Sequence, residues 1–239
     1  VSTVAGPGWL RDTAELYGRV FRRGAILALR NWPVALVLLG FSMLLELIDA
    51  VTAPLGLAGG FLRYLAFVAF VSSWLFLVAE VIRSGRIRPR DWIAGLSAYF
   101  GDLLTVLFLF WILLFVAWLL LSVSPLLGIV LGLAMLTFGN AVPELVYLGR
   151  HPPASILMES YRFIGENWIE WFPAVLILAA FLVGVREVAL MVAPPAFAAL
   201  VAQLVISLVL YFAMIVRGLL FQELSTSNRR ARAFRRAAG

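Results

Sequence analysis

The chain has 239 residues, 63% of them hydrophobic and 13% charged, where a soluble domain is typically about 45–50% apolar and about 25% charged. One soluble core cannot hide that surplus, so lipid is the expected solvent for much of the surface. With no cysteine and a single histidine, His151, the sequence excludes disulfides, thiolate metal sites and cysteine nucleophiles and argues against a histidine-based metal site or triad.

The N-terminal stretch VSTVAGPGWLRDTAELYG lacks a basic segment followed at once by an apolar one, so no cleavable signal peptide is expected. An amphipathic helix follows. Val20, Phe21, Gly24, Leu27 and Ala28 share one face, opposite Glu15, Arg19, Arg22, Arg23 and Arg30. Asn31-Trp32 then makes a corner, with Asn as a cap for the next helix and Trp at headgroup level.

A membrane span needs about 20 mostly apolar residues. Six stretches qualify: Pro33–Val51, Phe61–Ile82, Leu103–Val123, Pro125–Leu148, Trp171–Met191 and Ala196–Val216. Pro33, Pro125 and Pro173 are placed in first turns, where the missing N–H costs nothing. Gly56, Gly59-Gly60 and Pro194-Pro195 read as connectors. Span three, LFLFWILLFVAWLLL, has no polar face and is expected to meet lipid or a partner's helix.

The amphipathic pattern returns before span three, as Trp92, Ile93, Leu96, Tyr99 and Phe100, with Gly101-Asp102 at the corner. It returns again before span five, as Ile156, Leu157, Ser160, Phe163 and Ile164 opposite Ser155, Glu159, Arg162 and Glu166, with Asn167-Trp168 at the corner. These segments are expected to lie in the interface. The fold class is therefore all-α: a single polytopic membrane domain of six transmembrane helices with three cytoplasmic-interface amphipathic helices. Units 9–82, 90–148 and 154–221 suggest an internal triplication, and 222–239 is a basic tail.

All 19 basic residues are arginine, giving a formal net charge of +6. Seventeen of the 19 flank the spans on one side, Arg63 and Arg186 being the exceptions. The bias places both termini in the cytoplasm of a bacterial inner membrane and favours anionic lipid over nucleic acid as the partner.

Ionisable residues inside spans are functional candidates. Glu46 and Asp49 share a face of span one, and together with Arg63 and Arg186 they form a candidate far-side cluster. It is either a proton or cation relay, or an outward ligand site, or a structural tie between spans one, two and five. On the arginine-bearing side, Glu80 and Arg83 close span two, and Asn140, Pro143 and Glu144 interrupt span four. The interruption is either a broken-helix site of the transporter kind or a kink with Glu144 paired to Arg83 or Arg150. His151, before Pro152-Pro153, reads as a loop residue. Gly128-x3-Gly132 offers a close helix approach. No phosphate loop, nucleophile elbow, zinc-protease motif or set of metal-ligating acids is present, so no catalytic, cofactor-binding or metal-binding residue is expected.

Pro143 in FGNAVPELVYLG, Pro153-Ala154, Glu159-Ser160-Tyr161 and Asn167-Trp168 leading into a span resemble the corresponding stretch of a loose group of bacterial six-span proteins. That group includes the membrane domain attached to glycerophosphoryl diester phosphodiesterases. The likeness covers the C-terminal half. It implies a fold and a location but no activity, because the catalytic domain of those relatives is separate and soluble.

The expected role is a non-enzymatic membrane subunit or scaffold of a larger envelope complex, alongside other membrane subunits. A small transporter or channel using the intramembrane acids is the alternative, and a lipid-modifying enzyme the third. The arginine bias makes a direct prediction. Cysteines introduced at Thr3 and Ser227 will react with an impermeant maleimide from the same side of the membrane, and one at Ala53 from the other side; labelling of the two ends from opposite sides contradicts the orientation.

Overall fold

Apolar runs bounded by Pro and Gly become helices because hydrocarbon leaves a backbone no partner but itself. The computed structural model describes residues 7–88, 91–149, 151–192 and 197–226. All regular structure among them is helical. The helices are α1 (Pro7–Arg30), α2 (Pro33–Thr52), α3 (Leu57–Ser84), α4 (Asp91–Ala98), α5 (Phe100–Val123), α6 (Pro125–Phe138), α7 (Val142–Leu148), α8 (Ile156–Val192) and α9 (Ala198–Thr226), with single 3-10 turns at Ala53–Leu55 and Pro153–Ser155. Six segments are long and apolar enough to cross a membrane: α2 with its 3-10 turn, α3, α5, α6 with α7, α8 with its 3-10 turn, and α9. The chain is an all-α membrane protein of six spans. Arg90, Arg150, Pro194-Pro195 and the tail from 227 onward lie outside the described residues.

Two compact units divide the chain. One holds Val1–Leu39, Val81–Arg86 and Ile169–Gly239; the other holds Gly40–Glu80 and Ile87–Trp168. In the first, α1 packs along α9. Gly24 lets them close up, since a Cβ there would stand 2.8 Å from Val216 Cγ2, and Phe21 meets Phe212 edge-on at 6.2 Å. The expected α1 stripe is real: Val20 and Gly24 are buried and Arg19, Arg22, Arg23 and Arg30 are exposed. That stripe is spent on protein contact.

In the second unit α5 and α6 form a tight hairpin about Ser124, whose extended backbone (φ −148°, ψ 101°) reverses the chain. A Cβ on Gly128 would run into Leu121, and one on Gly139 would stand 2.7 Å from Phe110, whereas Gly132 has open space. Only the first glycine of the Gly128-x3-Gly132 pair makes a close approach.

The corners differ from expectation. At Asn31-Trp32 the helix breaks as expected, because Pro33 follows at once and disfavours helical geometry at Trp32. Asn167-Trp168 is no corner: α8 runs unbroken for 37 residues, about 55 Å. No proline or glycine follows Trp168 for four residues, and Pro173 sits inside the helix rather than in its first turn. Gly101-Asp102 also lies within a helix. The break falls at Tyr99, where Ser72 offers its hydroxyl oxygen to the Tyr99 N–H at 2.9 Å. The three lead-in segments thus take three forms: a long helix, a helix of 8 residues, and the opening turns of a span.

The short helix α4 is held by its glycine. Gly95 is buried, and a Cβ there would stand 2.9 Å from Ser73 Cα. Its apolar stripe is left outward, with Ile93 77% exposed. Gly95→Ala will therefore cost about 1–3 kcal/mol by overpacking, read as a lower unfolding temperature in detergent. Gly101→Ala, with nothing within 4 Å, will be neutral or stabilising; equal losses in both would contradict the close approach.

Candidate functional site

The polar side chains that the spans carry fall into two groups with different geometry. The first lies where helices end or break on the arginine-bearing side. Asn31 is buried, and its amide nitrogen donates to Leu27 O at 3.0 Å and Gly85 O at 3.1 Å. It acts as a donor closing α1 onto the end of α3, not as the expected cap. Tyr211 donates its hydroxyl to Asn31 O at 3.0 Å. In the same unit Tyr17 donates to Glu170 O at 2.6 Å. Burial pushes its phenol above the ordinary range, so it stays a donor. The Arg217 guanidinium lies 5.1 Å from the centre of the Trp171 ring, a cation–π contact.

The other unit repeats the logic with hydroxyls. Ser72 and Ser73, both fully buried, donate to Gly95 O at 2.8 Å and Trp92 O at 3.1 Å. Span four is interrupted over Gly139–Ala141, as expected. The carbonyl of Phe138, left at the end of α6, accepts from Ser160 Oγ, and Phe138 packs on Tyr161 with ring centres 4.8 Å apart. Tyr99 donates to Tyr147 O at 3.2 Å. Glu144 is fully buried beneath the break, and Pro143 occupies the first turn of α7, where it lacks no bond. Asn167 is buried and donates to Phe163 O one turn back, which keeps it inside the helix; Trp168 points outward. Glu80 is half-buried and Arg83 exposed.

The second group is the far-side charges. Asp49 and Arg63 do meet, in an ion pair of 3.1 Å with both side chains about half exposed. Arg186 instead bonds its chain neighbour Glu187. Glu187, not counted in the expected cluster, is what occupies it. Glu46 is exposed and makes no ion pair or hydrogen bond among the described residues.

Sequence reasoning missed Ser72 and Ser73; it placed Ser160 on the inward stripe of its segment, where it is fully buried, but not its partner. The Ser72 and Ser73 hydroxyls sit in an apolar run and carry no periodic signal, and their partners lie 19 to 27 residues away. It also missed Trp74, whose buried indole N–H is the one buried side-chain donor among the described residues that meets no acceptor; nothing in the structure explains it. No group of three or more acids or histidines close enough to hold a metal occurs among the described residues.

No family model, curated protein or solved structure matches the chain.

The Ser160 contact is testable. Ser160→Ala leaves the Phe138 carbonyl without its partner and will cost about 1–3 kcal/mol, measured by thermal unfolding in detergent. Ser225→Ala, at an exposed helix end, will change little; a neutral Ser160→Ala would show that the interruption needs no hydroxyl.

Proposed function

We propose that the chain is a non-enzymatic subunit or scaffold of a larger assembly in a bacterial inner membrane, with both termini cytoplasmic. One observation carries this reading. On α5, Phe108, Trp111, Phe115 and Trp118 stack in a continuous ladder, with successive ring centres 5.9–6.1 Å apart. All four rings are outward-facing, Trp111 being 60% exposed. Their spacing of three, four and three residues is that of a helix-pairing seam.

Trp111 stands near the middle of the 24-residue helix, about 17 Å from its start. Tryptophan favours the membrane interface, and an indole N–H facing hydrocarbon costs several kcal/mol. A helix of another subunit laid against the ladder covers the rings and supplies the acceptor. The resemblance of the C-terminal half to six-span membrane domains suits such a role and brings no activity with it.

A transporter built on Asn140 and Glu144 is less well supported. Asn31, Ser72 and Ser160 donate to backbone carbonyls at or beside the helix breaks, which is how a closed junction is made.

Full-length protein extracted in mild detergent from its native membrane will carry a membrane-protein companion in fixed stoichiometry. The double variant Trp111→Leu, Phe115→Leu will stay folded, by unfolding temperature and gel filtration, and will lose that companion. A wild-type chain that is monodisperse and alone overturns the subunit reading.

A further inference from the structure

Glu46 is an acid within a span that has no ion pair or hydrogen bond among the described residues. It lies six residues before the end of α2, about 9 Å along the axis. α2 has 20 residues, about 30 Å, which matches the hydrocarbon thickness. Glu46 is therefore inside the hydrocarbon, and it is exposed. Its neighbours on that face, Met43, Leu47 and Ala50, are exposed as well, Met43 at 58% and Leu47 at 59%. The spacing i, i+3, i+4, i+7 is one helical stripe.

By the sequence, three acids, Glu46, Asp49 and Glu187, and two bases, Arg63 and Arg186, fall at the span ends away from the other seventeen arginines. Each of these two bases already bonds an acid of this chain, Arg63 to Asp49 and Arg186 to Glu187. Glu46 thus has no cation of its own, and a second copy would bring another surplus acid rather than a base.

We infer that the α2 face around Glu46 docks a membrane-spanning helix of a different chain, one that carries an arginine or lysine about 9 Å inside its far-side end. The inference rests on the subunit reading above and names a second contact surface and the chemistry of its occupant. The apolar flanks Met43 and Leu47 supply packing. The carboxylate fixes depth and rotation, as a lone polar residue does in a helix-pairing seam, and Asp49 one turn away is already neutralised by Arg63.

The test places a photoreactive amino acid at Met43 or Leu47 in the full chain within its native membrane, with Leu133 on α6 as a lipid-facing control. Irradiation at Met43 and Leu47 will give one protein adduct, absent at Leu133. Mass spectrometry will map it to a span of another chain with an arginine or lysine in its far half. Glu46→Gln, which mimics the protonated acid, will lower the adduct yield by about fivefold or more. Glu46→Arg will abolish it, and replacing the partner's cation by glutamate will restore it. Adducts to lipid alone, to another copy of this chain or to a helix without a cation overturn the inference, as does an unchanged yield in a folded Glu46→Gln variant. If a companion still co-purifies while Met43 and Leu47 give no protein adduct, this surface alone is rejected; if no companion exists, the subunit reading falls with it.

Discussion

Every carbonyl freed where a helix stops must find a donor within the protein, because hydrocarbon offers none. This constraint explains why so few polar side chains suffice and where they stand. The end of α1, the end of α3, the short α4 and the broken span four all release carbonyls on the arginine-bearing side. Gly85 O is met by Asn31, Gly95 O by Ser72 and Phe138 O by Ser160, while Ser73 adds a bond to Trp92 O within α4. Tyrosines add a second layer, Tyr211 onto Asn31 and Tyr99 onto Tyr147. At the other side the helices turn through Ala53–Leu55 and Ser124, where Thr52 and Ser122 donate only within their own helices, to Ile48 O and Leu119 O, beside charges about half exposed.

The consequence is a division of labour along each span. The arginine-bearing ends are locked by buried hydrogen bonds, and glycines allow close approach at both ends, Gly24 and Gly95 at one and Gly59 and Gly128 at the other. The middle and far parts of α2 and α5 present side chains outward, with aromatic stacking on one and an unpaired acid on the other. Asn31, Ser72, Ser73, Ser160 and Asn167 each donate to a backbone carbonyl, while the buried Trp74 indole meets no acceptor.

Much of this was legible from residues alone. The six apolar runs, the starts at Pro33 and Pro125, the interruption at Asn140 and the α1 stripe all follow from length, proline geometry and periodicity, which are local signals. The Asn31-Trp32 and Asn167-Trp168 pairs look alike, yet only the first breaks the chain. The difference lies in the residue after each pair, proline in one case and isoleucine in the other. Ser72 and Ser73 were illegible because a hydroxyl inside an apolar run is recognisable only once its distant carbonyl is known, whereas the burial of Ser160 was legible from its stripe and its partner was not. The far-side cluster was half legible: Asp49 and Arg63 pair, but the adjacent Glu187 claims Arg186 and so leaves Glu46 over.

The central claim is that the breaks on the arginine-bearing side are closed junctions rather than loose loops. Hydrogen–deuterium exchange of the full chain in lipid nanodiscs measures it directly. The account predicts slow exchange at the amides of Asn31, Tyr99 and Val142, which bond Leu27 O, Ser72 Oγ and Gly139 O, despite their places at helix ends. Exchange at all three as fast as in an unstructured peptide would contradict it.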